Sequence, residues 1–390
     1  MRVLVLGGCG IQGRTAVHDL TRSADVSQVI CADAAPTGLE RISRFSDMSK
    51  VTQVVLDATD PQALIDLFRK ADVTIDLLPR HYTETVCRAA IQTGVGVVNT
   101  NYAYPILGLS ESARNAGVAI MPECGLDPGI DLVLYGQARR RFDELQVINS
   151  YCGGIPEASA CDNPLNYKIS WTWEGVISSS KREGRFIREG RVVDIPPEEQ
   201  HESDLIHTID FPQLGRLEAL PNGNAVFFTD LLGVTPTIRE TGRYSLRWPG
   251  WCAFWAPLKR LGFLDEDPVK GLPGNITPHQ FMTKHLEPRL QYGDDEKDLV
   301  AMYNVFEGMR GGRRVRLTSW LLIERDLETG LMAMSKGVGY PASIAAQMIA
   351  RGEIARKGVL TPVEDIPCGP FIQQLAERGI TVHEKEEFLD

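Results

Sequence analysis

Seven residues near the start of this sequence, Gly7-Gly8-Cys9-Gly10-Ile11-Gln12-Gly13, have the types and spacing of a phosphate cradle. They follow the apolar run Arg2–Leu6 and precede a helical pattern over residues 15–20. A second apolar run, residues 29–32, ends in Asp33. Strand, G-x-G-x-x-G turn, helix, strand and terminal acid are the parts of a dinucleotide-binding βαβ unit. Gly8 is expected to permit the tight turn. Gly10 carries no side chain to hold a pyrophosphate off the backbone, and Gly13 lets the helix pack closely on the strand. The phosphates then face the N–H groups at the helix N-terminus, with Ile11 and Gln12 beside them. Asp33 can accept hydrogen bonds from both ribose hydroxyls, and its charge repels a 2′-phosphate, so the expected cofactor is NAD rather than NADP. The plain alternative is a glycine-rich turn that only packs a helix on a sheet.

These residues need a scaffold, and the pattern supplies one. Residues 54–56 read as a strand ending in Asp57, and Asp60-Pro61 starts a helix. Residues 73–78 are the next strand, closed by Pro79. A helix over 84–91 ends at Gly94, and strand 95–98 ends in Asn99. A helix near Ser110–Asn115 leads to a sixth strand, 118–121. Strands alternating with helices predict a doubly wound parallel α/β sheet, whose ligands bind at the strands' carboxyl ends. Those ends carry Asp57, which is placed at the adenine with a loop acid as the alternative. They also carry Leu78-Pro79, then Arg80, His81 and Tyr82, and then Asn101 and Tyr102 on the same rim. His81 could equally cap or solvate the next helix.

After residue 141 the pattern changes to strands without regular helices between them. Residues 185–188 and 191–195 flank Glu189-Gly190 as a hairpin, and 299–307 and 314–325 flank a longer turn over 309–312. A mixed or antiparallel sheet is expected, with the six tryptophans mostly in its core or at an oligomer interface. Gly339-Tyr340-Pro341 is expected to introduce a helix over 342–351, and Pro370 another over 371–378. The expected domains are 1–128, binding the dinucleotide; 129–334, binding substrate and dimerising; and 335–390, C-terminal helices returning to the first domain. The polar loop 196–204 is a candidate flap.

The net charge of −10 argues against nucleic acid. No apolar run is long enough to span a bilayer. The first strand starts at residue 2, so no signal peptide is expected, and the eight scattered cysteines without a C-x-x-C pair suit a reducing cytoplasm. His201 and His207 near Glu198 and Glu199 fit no common metal spacing, so no metal is expected and a polar surface loop is the reading there.

Two further stretches carry a resemblance. One is Glu123-Cys124-Gly125-Leu126-Asp127-Pro128-Gly129-Ile130-Asp131. The other is Ser150-Tyr151-Cys152-Gly153-Gly154-Ile155-Pro156, followed by Asp162-Asn163-Pro164-Leu165-Asn166-Tyr167-Lys168-Ile169-Ser170-Trp171. With Leu246-Arg247-Trp248-Pro249-Gly250 and Gly339–Ala342, they resemble the saccharopine dehydrogenase-like family nearly from end to end. That family includes glutamate-forming saccharopine reductases and lysine 6-dehydrogenases. The resemblance implies a Rossmann domain interrupted by a mixed-sheet substrate and dimerisation domain, and hence a homodimer. It also implies oxidation or reduction at a carbon bearing an amino-acid nitrogen. Asp127 and the Asp-Asn-Pro-Leu stretch resemble the saccharopine reductases. Asp33, the length and Arg-Trp-Pro-Gly resemble the NAD-linked lysine 6-dehydrogenases.

Such chemistry needs a proton-transfer group, because hydride leaves only once the nitrogen lone pair is free. Asp127, at the end of the last parallel strand, is the first candidate, with a helix N-cap as the alternative role. Cys152 follows from the family's Tyr-Cys-Gly-Gly segment, with a buried structural thiol as the alternative. Lys168 could act as a base if desolvated, or could be an exposed strand lysine. Arg247 is expected to grip a substrate carboxylate in bidentate fashion rather than lie on the surface. His81, Tyr82, Asn101, Tyr102 and Asn163 complete the expected substrate contacts. The expected function is an NAD-dependent oxidoreductase acting on the CH–N bond of an amino acid or a secondary amine derived from one. A lysine 6-dehydrogenase acting on a free primary amine, or a non-catalytic NAD-binding regulatory protein, is the alternative.

Overall fold

The computed structural model describes residues 1–35 and 37–389. The chain forms two compact units. The first comprises Met1–Gln137 and Glu328–Thr381, and the second comprises Ala138–Leu327 with the segment from Val382 onward.

The first unit is built on β1 (Arg2–Leu6), β2 (Gln28–Asp33), β3 (Val51–Val55), β4 (Val73–Asp76), β5 (Gly96–Asn99) and β6 (Ala119–Met121). A short strand, Gly358–Val359, adds a seventh beside β6. The order from that edge is β6-β5-β4-β1-β2-β3, and every pairing is parallel. Val3 to Leu6 are fully buried because helices cover both faces of a parallel sheet. Strand order reverses between β1 and β4, and the crevice at that switch point is where such sheets bind ligands.

The C-terminal part of this unit departs from the expected pattern. One helix, Ala333–Ala350, runs straight through Gly339 and Pro341. Punctuation that normally starts a helix sits inside this one because packing requires it. A Cβ on Gly339 would lie 2.8 Å from the Gln12 carbonyl oxygen and 2.8 Å from Thr15 Cβ, so only glycine admits the helix Ile11–Arg22 this closely. Buried hydrogen bonds join the same two helices. Thr15 Oγ1 donates to Ser335 Oγ at 2.9 Å, and Ser343 Oγ donates to Asp19 Oδ2 at 2.6 Å. Arg378, at the end of the helix Cys368–Glu377, pairs with the other Asp19 oxygen at 2.6 Å.

The second unit contains β7 (Glu144–Pro156), β8 (Gly184–Arg188), β9 (Arg191–Ile195), β10 (His207–Phe211), β11 (Gly215–Pro221), β12 (Glu240–Arg247), β13 (Asp298–Arg310) and β14 (Arg313–Glu324). Its sheet runs β10-β11-β12-β7-β13-β14 and ends in the strand His383–Phe388. Only the β12–β7 pair is parallel, so the sheet is mixed. The final strand therefore corrects the expectation that everything after residue 335 joins the first domain. The β8–β9 hairpin turns at Glu189 and Gly190, both with positive φ, as a two-residue primed turn requires. The β13–β14 hairpin is tighter than expected: pairing continues to Arg310 and Arg313, leaving only Gly311 and Gly312 at the tip, both left-handed. Trp173, Trp251 and Trp255 lie in one buried cluster of this unit.

Candidate active site

In the first unit, loops at the strand ends are tied into one rim. Gly7 N–H donates to the Ala32 carbonyl at 2.8 Å, and Leu77 N–H to the Leu6 carbonyl at 3.0 Å. The left-handed residue of the glycine loop is Gly7, at φ 71, so it makes the turn assigned above to Gly8. Gly8 is needed for space instead, since a Cβ there would meet Cys31 Sγ at 2.5 Å. A Cβ on Gly13 would lie 2.1 Å from the Gly7 carbonyl oxygen, which forces helix and loop into contact. Gly10 is exposed, and Ile11 opens the helix with no side-chain cap, so its first N–H groups remain for a ligand. The half-buried Asp33 accepts hydrogen bonds from Cys9 N–H at 3.0 Å and Ala35 N–H at 3.3 Å. A dinucleotide's phosphates fit this cradle, because the exposed Gly10 leaves the uncapped helix start without a side chain over it.

Leu78 and Pro79 follow β4, with Pro79 exposed. Asp76, which the sequence reading passed over, shapes this turn: its Oδ1 accepts from Leu78 N–H at 3.0 Å. Its Oδ2 is buried without a hydrogen-bond partner, and burial pushes its carboxyl up to about 7. An acid ending an otherwise apolar strand, Val73-Thr74-Ile75-Asp76, was the available signal. Asp57 is exposed and closes its own turn, accepting from Thr59 N–H and Oγ1 at 2.9 and 2.6 Å. His81 and Tyr82 sit in a short 3-10 turn with ring centroids 4.1 Å apart.

The loops after β5 and β6 are bonded together. Glu123 N–H donates to the Asn101 carbonyl and Cys124 N–H to the Asn99 carbonyl, each at 2.9 Å. Asn101 is held by Thr83 Oγ1 at 2.9 Å, and Tyr102 stacks on Tyr104 at 5.3 Å. The Gly125–Gly129 loop closes on itself through Gly125 N–H to the Pro128 carbonyl and Ile130 N–H to the Gly125 carbonyl. Gly129 has φ 151, and a Cβ there would lie 1.9 Å from the Gly125 carbonyl oxygen, so the motif must end in glycine. The helix then begins at Ile130, with Asp131 Oδ1 accepting from Gly129 N–H at 2.8 Å. Asp127 therefore stands before the cap position, which corrects its alternative role as N-cap. From Met121 to Gly136 it is the one residue that is not buried. Burial raises Asp131 to about 8.

In the second unit, Cys152 on β7 is in register with Ser245 on β12, so Arg247 lies on the same face two residues on. Gly153 lets these strands meet, since a Cβ there would be 2.1 Å from the Leu246 carbonyl oxygen. Arg247 is buried. Its guanidinium carbon lies 4.9 Å from the Trp251 ring centroid and 5.3 Å from that of Tyr167. Nη1 donates to the Leu246 carbonyl at 2.7 Å, whereas Nε is buried without a partner. Burial works against its charge, and the groups acting on it most are Tyr167, Cys152, Cys252 and Tyr292, none of them a carboxylate.

Three expectations for this unit are corrected. Lys168 is neither exposed nor a lowered-pKa base. Its Nζ donates to Asp162 Oδ2 at 2.9 Å and Glu296 Oε1 at 2.5 Å. Burial lowers its pKa, but the bonds to Glu296 and Asp162 outweigh that, and the net shift is upward, so the ammonium holds its proton. Asn163 uses both polar atoms in its own loop. Its Nδ2 donates to the Tyr167 carbonyl at 2.9 Å, and its Oδ1 accepts from Leu165 N–H at 3.1 Å. The segment 196–204 is likewise no free flap at its centre. Gln200 and His201 are buried, and burial pushes His201 down to about 3. His201 Nδ1 lies 3.4 Å from Lys259 Nζ, and no cluster of metal-ligating residues occurs among the described residues.

A glycine cradle at the switch point of a parallel sheet defines the first unit as a nicotinamide-nucleotide-binding domain of the oxidoreductase type. Residues 3–121 match the family profile described as saccharopine dehydrogenase NADP binding domain, and residues 125–380 match saccharopine dehydrogenase C-terminal domain. The chain belongs to the saccharopine dehydrogenase family. It is 28% identical over 404 residues to saccharopine dehydrogenase [NADP(+), L-glutamate-forming] of Schizosaccharomyces pombe, covering 86% of this chain and 88% of that one. With the Saccharomyces cerevisiae protein of the same description it is 26% identical over 449 residues, covering 98% of each. It also spans about half of the bovine mitochondrial alpha-aminoadipic semialdehyde synthase: 26% identity covers 97% of this chain and 47% of that protein. The solved apo saccharopine dehydrogenase (L-Glu forming) from Saccharomyces cerevisiae shares the fold, with a TM-score of 0.86, 24% identity and 99% of each chain covered.

Proposed function

We propose that this protein is a nicotinamide-nucleotide-dependent oxidoreductase acting on the CH–N bond of an amino-acid-derived secondary amine of the saccharopine type, giving a semialdehyde. The observation that carries this reading is Arg247, a buried guanidinium with a free Nε and aromatic rings in place of an acid. A substrate carboxylate supplies the missing anion, and the low-dielectric setting strengthens that bond. The dinucleotide, when bound, supplies the hydride acceptor. Gly7, Gly8, Gly10 and Gly13, with the N–H groups of Ile11 and Gln12, would hold its phosphates, and Leu78 and Pro79 would line the site.

Asp127 takes the proton that frees the nitrogen lone pair. Its partial exposure in an otherwise buried loop supports this role. Cys152 shares the sheet face of Arg247, which supports a role beside the substrate carboxylate. Lys168 stays protonated and braces Asp162 and Glu296, and Asn163 shapes the loop leading to Tyr167. His81, Tyr82, Asn101 and Tyr102 form the substrate rim.

NAD is the proposed cofactor, although the fungal relatives are named for NADP(+). Asp33 ends β2, the position from which an acid bonds the ribose hydroxyls and disfavours a 2′-phosphate. The reading extends to a homodimer in the cytoplasm, the latter supported by eight free cysteines. Saccharopine, lysine and ornithine should be offered with NAD and with NADP while reduced nicotinamide is followed by absorbance. Turnover of saccharopine with NAD supports the reading. Turnover of lysine alone moves it to a lysine 6-dehydrogenase, and equal or tighter binding of NADPH overturns the role given to Asp33.

A further inference from the structure

The glycine loop holds a feature the proposed reaction does not use. Cys9, between Gly8 and Gly10, and Cys31, on β2, have sulfurs 3.7 Å apart. Cys31 is fully buried, and Cys9 is 8% exposed beside the exposed Gly10. We propose that Cys9 and Cys31 form a site of reversible oxidation, where a peroxide converts the two thiols to a disulfide that closes the dinucleotide cradle.

Cys9 first loses its proton, and its thiolate attacks one peroxide oxygen. The O–O bond breaks, leaving a sulfenic acid on Cys9 and releasing water. Cys31 sulfur then attacks the Cys9 sulfur, the S–O bond breaks, the Cys31 proton leaves with the hydroxide, and a second water is released. Two thiols are oxidised by two electrons, and one peroxide is reduced to two waters. Burial raises both thiols above their ordinary values. At Cys9 the contact with Cys31 and the charge of Arg14 work against burial, while Asp33 and Glu40 add to it, so Cys9 is the attacking group and the reaction is slow at neutral pH.

The consequence for binding follows from geometry. A disulfide is about 2.05 Å long, so the two sulfurs must close by roughly 1.6 Å. Cys31 is fixed in a central strand, paired with Val5 on one side and Gln53 on the other. The loop residue Cys9 is therefore the freer of the two to shift, and its N–H is the donor to Asp33 Oδ2 at 3.0 Å. Gly8 packs directly on Cys31 Sγ, so the displacement passes into the loop that meets the phosphates.

The test treats the full-length protein with hydrogen peroxide and follows intact mass, a peptide map, and NADH binding by fluorescence, or NADPH binding where that is tighter. A two-proton mass loss, a peptide linking Cys9 to Cys31, and at least tenfold weaker binding restored by dithiothreitol are expected. Prior saturation with the dinucleotide should slow the loss. Cys31→Ser and Cys31→Ala should each bind before treatment and keep binding after brief treatment. The absence of the linked peptide, its formation without loss of affinity, or equal loss in the Cys31 variants overturns the proposal. The peptide map is read on wild-type protein, so it decides the first point without any variant or turnover.

Discussion

Replacing Asp76 with asparagine should make the protein's stability less dependent on pH, in a predictable direction. The Asp76 carboxyl is held at about 7, against 3.8 for an ordinary aspartate, because burial penalises the charge. The unfolded chain releases this proton near pH 4 and the folded chain only near pH 7. In that window the folded state holds more protons, so stability falls as pH rises and stays low above pH 7. A shift of roughly three units corresponds to about 4 kcal/mol, of which about 3 kcal/mol falls between pH 5 and 8. The substituted amide would keep the acceptor for Leu78 N–H but bury an unpaired donor, a cost of about 1–3 kcal/mol at every pH. Asp76→Asn should therefore be less stable than wild type at pH 5 and equal or more stable at pH 8. Urea unfolding of both proteins at the two pH values measures this, and Asp131 contributes equally to each and cancels. Parallel pH slopes in wild type and variant would refute the reasoning.

Asp127→Asn should fold and bind the dinucleotide normally yet lose turnover by about a hundredfold or more, which steady-state kinetics beside a binding titration would show. Arg247→Ala should weaken substrate binding by about 2–5 kcal/mol and leave dinucleotide affinity unchanged, as calorimetry with each ligand can resolve. Gly153→Ala should destabilise the second unit by about 1–3 kcal/mol, because its methyl collides with backbone between β7 and β12; a lowered thermal midpoint is the readout.

The dinucleotide cradle is legible in the sequence because its physics is local. Gly13 and the strand before it lie within one short stretch, and steric need fixes residue type. The turn assigned to Gly8 rather than Gly7 shows the limit of that reading, since adjacent glycines leave the left-handed position open. Lys168 escapes it because what decides its state, Glu296, is 128 residues away. His201 looks solvated in a run of polar neighbours, and only the fold buries it. The helix Ala333–Ala350 reads as a shorter one because Gly339 and Pro341 carry a local start signal that packing against the helix Ile11–Arg22 overrides. Arg247 stands out by type and turn context, but its aromatic bed, and the absence of an acid partner among the described residues, are purely tertiary.

The interleaved path of the chain sets an order of assembly. Translation completes β1 to β6 first, yet the helix that packs against the glycine-loop helix and the strand beside β6 come only after all of Ala138–Leu327 has been made. The second unit waits in turn for His383–Phe388, which covers the free edge of β14. Neither unit can finish while the chain is still short, so the nascent first unit spends the synthesis of about 190 residues without the helix Ala333–Ala350. During that interval the face of the sheet along β4 and β5 lacks the helix that covers it in the finished protein.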